Sequence, residues 1–257
     1  MSASLLALLI AQPAAQTGFV DKVFKNPDGH ESPYVLFVPH GYDPNKPAPV
    51  ILFLHGAGET LVPGRTGGKL PVEQGIGPHV KGRREQTFPA LVVIPRAEGF
   101  GWDAAGDNGK RALAILDQVM AEYKCDPQRV YLTGLSMGGY GTWSLAAAHP
   151  DRWAAIVPVC GGLRFPLNKD GKRDPEAADG AVHEVAEKIK GIPCWCWHGT
   201  ADGAVKVEQS RTLIDALRKA GGQPRYTELA DVGHNSWDAC YATDDVYSWL
   251  FKQKKSN

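Results

Sequence analysis

The stretch Val130-Tyr131-Leu132-Thr133-Gly134-Leu135-Ser136-Met137-Gly138-Gly139-Tyr140-Gly141 contains the pattern Gly-x-Ser-x-Gly, at Gly134, Ser136 and Gly138. Strand-forming residues precede the pattern, and a helical run that ends before Pro150 follows it. A tight strand-to-helix turn leaves no room for side chains two residues before or after its serine. We therefore predict a nucleophile elbow, with the N-terminus of the following helix aimed at the Ser136 hydroxyl. The alternative is a glycine-rich turn with an incidental serine.

A serine hydroxyl is a weak nucleophile that needs a base, and the base needs a carboxylate to orient it. After an elbow, the acid and then the histidine follow in chain order. Four histidines follow Ser136, namely His149, His183, His198 and His234. His234 lies in a loop between a predicted strand at 225–229 and the final helix, and it is the predicted base. Asp202, just past the preceding strand, is the predicted acid, in preference to Asp231 and Asp238.

Acyl transfer also needs hydrogen-bond donors for the oxyanion. The turn Leu54-His55-Gly56-Ala57-Gly58-Glu59 follows an apolar strand and offers free backbone N–H groups. We predict that the N–H of Ala57 pairs with that of Met137, the residue after the nucleophile. His55 is out of order for the base, and we expect it to hold this turn by hydrogen bonds.

Short apolar strands alternate with helical stretches along the rest of the chain. Unbroken apolar strands indicate a mostly parallel sheet covered on both faces, hence an α/β fold. The predicted strands are 20–25, 34–39, 50–54, 90–94, 130–132, 155–159, 192–197 and 225–229, and the clearest predicted helices are 110–123 and 207–220. Two long loops, 59–87 and 161–180, are expected to shape a substrate site.

The composition excludes several classes of protein. The chain has 257 residues, with 28 Lys and Arg against 28 Asp and Glu, so its formal net charge is zero. Neutrality argues against nucleic acid or an anionic membrane as a partner. No apolar run approaches the roughly 20 residues of a membrane span. We expect one catalytic domain over residues 16–257, and the sequence is silent on the oligomeric state.

Five cysteines are too few for a disulfide scaffold, and their odd number leaves at least one unpaired. They are Cys125, Cys160, Cys194, Cys196 and Cys240. Cys194 and Cys196 fall on one face of a predicted strand, where buried thiols are a better interpretation than a metal site. A single disulfide that involves Cys240 stays open. We expect neither a metal nor a cofactor.

Four stretches together resemble a known family: 55–59, 134–143, 198–202 and 233–237. They are similar to the α/β-hydrolase esterases, in the branch of polyhydroxybutyrate depolymerases and of feruloyl and acetylxylan esterases (carbohydrate esterase family 1, with predicted peptidases and dienelactone-hydrolase relatives). The resemblance implies an α/β-hydrolase fold and a secreted serine carboxylesterase without cofactors, with Ser136, Asp202 and His234 as its triad. The alternatives are a peptidase of prolyl-oligopeptidase type and a non-catalytic binding module.

The polar insert and the tryptophans indicate the kind of substrate. The polar insert 163–182, which begins with Leu163 and Arg164, suits a sugar or another hydrated alcohol better than a lipid chain. Trp102 and Trp237 follow strand ends and are expected to flank an acyl group or a sugar face, whereas Trp143, Trp195 and Trp197 are expected in the core. We therefore expect short-chain or hydroxycinnamoyl esters, free or linked to plant polysaccharide.

The N-terminus carries the apolar run Leu5-Leu6-Ala7-Leu8-Leu9-Ile10-Ala11, followed by Gln12-Pro13-Ala14-Ala15. An apolar core before small residues is typical of a signal peptide, although no Lys or Arg precedes it here. The alternative is an ordinary N-terminal segment. We predict export and cleavage near Ala15, which N-terminal sequencing of the protein from its native host checks. A mature cytoplasmic chain that begins at Met1 would contradict this.

Overall fold

A computed structural model describes residues 16–61, 70–164 and 175–255. The predicted signal peptide at 1–15 therefore lies outside the described residues, as do the positions 165–174 of the polar insert. Eight strands form one sheet in the order β1-β2-β4-β3-β5-β6-β7-β8. The strands are β1 (Gly18–Lys25), β2 (Glu31–Val38), β3 (Ala48–Leu54), β4 (Leu91–Pro95), β5 (Cys125–Leu135), β6 (Ala155–Val159), β7 (Trp195–Gly199) and β8 (Arg225–Leu229).

The sheet is antiparallel at one edge and parallel elsewhere. β1 pairs with β2, and β2 with β4, in antiparallel register. The pairs from β4 through β3, β5, β6 and β7 to β8 are all parallel. The carboxyl ends of six parallel strands thus meet at one edge, which is where α/β sheets carry their ligand sites.

Helices cover both faces of the sheet, as predicted. They are α1 (Ile76–His79), α2 (Asp107–Glu122), α3 (Met137–Ala148), α4 (Pro175–Ile189), α5 (Glu208–Lys219), α6 (Trp237–Ala242) and α7 (Asp244–Leu250). In β3, Leu52 and Leu54 face the core under α2 to α5, whereas Ile51 and Phe53 face the core under α1, α6 and α7. This alternation explains the unbroken apolar run in the sequence.

The two predicted long loops are partly helical, which corrects that expectation. Within 59–87, α1 is followed by a π-helical turn, Val80–Arg84. Within 161–180, α4 already begins at Pro175. Both helical starts escape a search for periodicity because they are short or directly follow polar sequence. Among the described residues, no helix is long and apolar enough to cross a membrane.

The cysteines are thiols rather than bridges. All five are free, and four of them are buried. Cys194 and Cys196 lie in the core under α2 to α5, as the spacing predicts. The open possibility of a disulfide at Cys240 is not realised, because that thiol is buried among apolar side chains.

Helix α3 packs directly against the backbone of β6, and a pair of glycine substitutions tests this contact. A Cβ on Gly139 would overlap the carbonyl oxygen of Val159 and lie 2.9 Å from Gly161 Cα. We expect Gly139→Ala to lower the free energy of unfolding in urea by about 3 kcal/mol. Gly180→Ala, in helix α4 with open space around it, is the matched control and should stabilise by up to about 1 kcal/mol. Equal effects would contradict the close packing.

Candidate active site

Ser136 lies at the junction of β5 and α3 in a backbone conformation that L-residues rarely adopt, with φ of 53° and ψ of −116°. Its N–H donates to the carbonyl of Val159 at 2.9 Å, which ties the turn to β6. A Cβ on Gly134 would overlap the carbonyl oxygen of Gly138, and one on Gly138 would overlap that of Leu54. Only glycine fits at either position. The strained turn is the elbow predicted from the sequence.

The structure brings Ser136, His234 and Asp202 together at the carboxyl edge of the sheet. The Ser136 Oγ lies 2.8 Å from His234 Nε2, and His234 Nδ1 lies 2.7 Å from Asp202 Oδ2. Nδ1 therefore carries the proton that is donated to the carboxylate, and Nε2 is left to accept the serine proton. This chain of hydrogen bonds can make a hydroxyl nucleophilic.

Asp202 is buried, yet it is held as a carboxylate. Its Oδ1 accepts hydrogen bonds from the N–H groups of Ala204 at 2.8 Å and Val205 at 2.9 Å. Burial opposes ionisation, but the hydrogen bonds from His234 and from these two N–H groups outweigh it and keep the pKa of Asp202 below its ordinary value. A carboxylate at this distance would stabilise an imidazolium at His234.

The loops that carry the acid and the base are joined to each other. The N–H of Ala201 donates to the carbonyl of Val232 at 3.0 Å, and the N–H of Asp231 donates to Thr200 Oγ1 at 2.9 Å. A Cβ on Gly199 would come within 2.5 Å of the Gly233 carbonyl oxygen. These contacts set the spacing between Asp202 and His234 by backbone geometry.

His198 lies beside Asp202 and, as expected from its place in the chain order, makes no hydrogen bond to Ser136. Its ring is buried, its Nε2 donates to the Val205 carbonyl at 2.9 Å and its Nδ1 accepts from Ser210 Oγ at 2.7 Å. Nε2 also lies 3.2 Å from Asp202 Oδ2. Burial lowers the pKa of His198, so the ring is neutral at pH 7.

The turn predicted to bind the oxyanion lies beside the serine. A Cβ on Gly56 would be 3.8 Å from Ser136 Cβ, and Ala57 begins a short 3₁₀ turn, Ala57–Glu59. Met137 is the first residue of α3, so its N–H has no acceptor within the helix. Both N–H groups thus belong to the segments that flank Ser136.

His55 holds this turn, as its position predicts. Its side chain is buried, its Nε2 accepts from the N–H of Ala97 at 3.0 Å, and its Nδ1 donates to the Gly56 carbonyl at 2.6 Å. Burial lowers its pKa to about 4. A neutral ring therefore links the turn after β3 to the loop after β4.

Three groups lie close enough together to be considered as metal ligands. Atoms of Cys160, Asp202 and His234 lie within 4.8 Å of one another. Burial raises the pKa of Cys160 to about 12, so the thiol stays protonated. The other two groups are already hydrogen-bonded to each other. A protonated thiol and two groups that already pair with each other are poorly suited to holding a cation.

A cleft of about 370 Å³ opens at Ser136 and His234. Its walls are mainly apolar and aromatic. They are formed by Phe100, Ser136, Met137, Tyr140, Leu163, Arg164, Ala204, Val205 and His234. This volume lies at the lower end of the range for small-ligand sites.

The tryptophans predicted to flank the substrate do not line this cleft. Trp102 is 1% exposed, and its indole N–H donates to the His55 carbonyl at 3.0 Å, so the expectation that it contacts an acyl group is wrong. Trp237 lies edge-on against the His234 ring, with the ring centroids 5.4 Å apart. The aromatic residues of the cleft wall are instead Tyr140, at the start of α3, and Phe100, 67% exposed, which the sequence pattern did not single out. Only the place of Phe100 in the same loop as Trp102 could have indicated it.

Comparisons with known proteins agree with this geometry. The sequence profile of the family described as "Putative esterase" matches residues 29–252. "Feruloyl esterase C" of Emericella nidulans is 31% identical over 159 residues, which cover 61% of this chain and 55% of that protein. "Poly(3-hydroxyalkanoate) depolymerase C" of Paucimonas lemoignei is 32% identical over 219 residues, which cover 76% of this chain and 50% of that protein. The chain thus spans about half the length of these curated relatives.

A solved structure is similar as well. The crystal structure of a thermostable esterase matches 92% of this chain and 63% of its own, with a TM-score of 0.76 and 32% identity. The mostly parallel sheet with helices on both faces is therefore an α/β-hydrolase fold, as predicted.

The buried neutral His55 makes stability depend on pH. Its pKa falls from 6.5 in the unfolded chain to about 4 in the folded protein. Between these pH values the unfolded chain binds more protons than the folded protein does. The free energy of unfolding therefore decreases as the pH falls from 6.5 towards 4. We expect His55→Gln to reduce the difference in unfolding free energy between pH 7 and pH 4.5 by about 2.5 kcal/mol, measured by urea denaturation. His183→Gln, at an exposed position, is the control, and an unchanged pH dependence in His55→Gln would refute the assignment.

Proposed function

Because this chain belongs to the esterase family whose profile it matches over residues 29–252, we propose that it is a serine carboxylic ester hydrolase. The observation that carries the proposal is the continuous chain of hydrogen bonds from Ser136 Oγ through His234 to Asp202, at 2.8 and 2.7 Å. It opens into a cleft wide enough for a small acyl group. The roles below are inferred from this arrangement.

In the first half of the reaction, Ser136 Oγ attacks the ester carbonyl while His234 Nε2 accepts the hydroxyl proton. Negative charge moves to the carbonyl oxygen, where the N–H groups of Met137 and Ala57 would bind it. Loss of one such donor typically costs about 3 kcal/mol of transition-state stabilisation. The imidazolium then gives its proton to the departing alcohol, and Ser136 carries the acyl group.

In the second half, water takes the place of the alcohol. His234 removes a proton from the water as it attacks the acyl-enzyme, and returns that proton to Ser136 Oγ as the acid leaves. Asp202 remains ionised throughout and stabilises each imidazolium. The balanced result is ester plus water giving acid plus alcohol, and no step calls for a metal or a cofactor.

We further propose that the acyl group is short or hydroxycinnamoyl, and that the alcohol is a small molecule or a plant polysaccharide. The small cleft has the exposed ring of Phe100 and that of Tyr140 in its wall, and these suit a planar or short acyl chain. The two curated relatives are named for feruloyl esters and for a polyester. Peptide hydrolysis is the weaker alternative, because the matching family and both relatives are named as ester hydrolases. Export, as expected from the N-terminal run, would bring the enzyme to such substrates.

The proposal predicts a ranking of substrates. We expect kcat/KM for acetyl, butyryl or feruloyl esters to exceed that for a palmitoyl ester and for a prolyl amide, because the cleft is short and alkoxide leaves more readily than amine. Ser136→Ala should fold normally and lower the rate by about four to six orders of magnitude. Ser248→Ala, at an exposed position in α7, is the matched control.

Labelling with a fluorophosphonate separates an enzyme from a non-catalytic module. The wild type and Ser248→Ala should be labelled, and Ser136→Ala should not. Near-normal turnover by Ser136→Ala, or a palmitoyl ester or amide as the best substrate, would overturn the corresponding part of the proposal.

A further inference from the structure

Arg164 gives the cleft a positive charge that the proposed reaction does not use. It is exposed and lies in the cleft wall together with Ser136 and His234. Among the described residues that line the cleft, it alone carries a permanent charge. Nothing in acyl transfer from a neutral ester requires a guanidinium at this position.

Two aromatic rings hold the guanidinium in place. Its central carbon lies 4.4 Å from the ring centroid of Phe100 and 5.6 Å from that of Tyr140. Both rings also line the cleft. A guanidinium held over ring faces keeps its N–H groups directed outward in its own plane, where they can form two parallel hydrogen bonds.

Within the described part of the chain, no carboxylate forms an ion pair with this charge. The ion pairs there, defined by N···O distances up to 4.0 Å, do not include Arg164. Asp103 is the acidic neighbour, since its Oδ2 and Arg164 Nη1 both lie beside Gly101, at 2.9 and 4.0 Å from the position of a Cβ there. That carboxylate lies beyond ion-pair distance and leaves the guanidinium able to bind another anion.

Resting on the proposed esterase function, we propose that Arg164 selects esters that carry a carboxylate near the scissile bond. Guanidinium and carboxylate match in a planar, bidentate arrangement, and the two flanking rings orient the guanidinium for it. The carboxylate can belong either to the acyl group, as in a half-ester of a dicarboxylic acid, or to the alcohol, as in an acylated hydroxy acid. Recognition is the same in both cases.

The test compares charged and neutral esters of matched size. On the acyl side, p-nitrophenyl hemiglutarate is compared with p-nitrophenyl hexanoate, and on the alcohol side, O-acetyl-lactate with O-acetyl-lactamide. The measurement is the ratio of kcat/KM for the charged over the neutral ester. It is made for the wild type, Arg164→Gln, Arg164→Lys and Arg225→Gln. Arg225 is the matched control, because it is also exposed and stacked on two rings, Trp195 and Trp249, but at the opposite end of the sheet.

We expect Arg164→Gln to lower this ratio about tenfold in at least one arm, mainly through KM, since the pair contributes to binding in the ground state. Arg164→Lys should restore part of the ratio, Arg225→Gln should leave it unchanged, and 0.5 M NaCl should reduce it in the wild type. The arm that responds identifies the side that carries the carboxylate.

Equal ratios for the wild type and Arg164→Gln in both arms would overturn the inference and leave the esterase proposal intact. Failure of the wild type to hydrolyse any of the four esters would overturn both.

Discussion

The whole site depends on how closely the backbone of α3 approaches the ends of β3 and β6. Gly138 packs against the Leu54 carbonyl, and Gly139 packs against that of Val159. At this distance the first turn of the helix lies directly on the sheet, and Ser136 must adopt a positive φ to join the two. These contacts, together with the hydrogen bond from the Ser136 N–H to the Val159 carbonyl, maintain the strained conformation. The position of the serine hydroxyl is therefore fixed by contacts between backbone atoms, and it does not depend on the conformation of a flexible side chain.

Neutral buried histidines extend this rigidity beyond the elbow. His55 links the turn after β3 to the loop after β4, and His198 supports Asp202. Burial lowers the pKa of both histidines, so both rings are neutral links at neutral pH. A histidine that donates from one nitrogen and accepts at the other joins two loops without adding charge. Two of the three histidines in this site are thus structural links, and the third is hydrogen-bonded to both Ser136 and Asp202.

The turn that carries Ser136 and its two hydrogen-bonding partners were predictable from the sequence, because backbone geometry and chemistry both restrict which residues can stand there. Gly134 and Gly138 indicate the turn, and chain order then selects Asp202 and His234. The sheet was predictable because inner strands such as β3, β4 and β6 are apolar on both faces. The direction of a side chain in a loop has no comparable signature. Trp102 therefore was expected at the substrate and lies in the core, and neither Phe100 nor the early start of α4 was anticipated.

The free buried cysteines allow local opening of the two cores to be measured in the native protein. Cys194 and Cys196 lie in one core and Cys160 and Cys240 in the other, and burial raises the thiol pKa at all four positions. A protonated, enclosed thiol reacts with an alkylating reagent only while its surroundings are transiently open. The alkylation rates of these native thiols therefore measure local opening on each side of the sheet separately, and no cysteine has to be introduced by mutation.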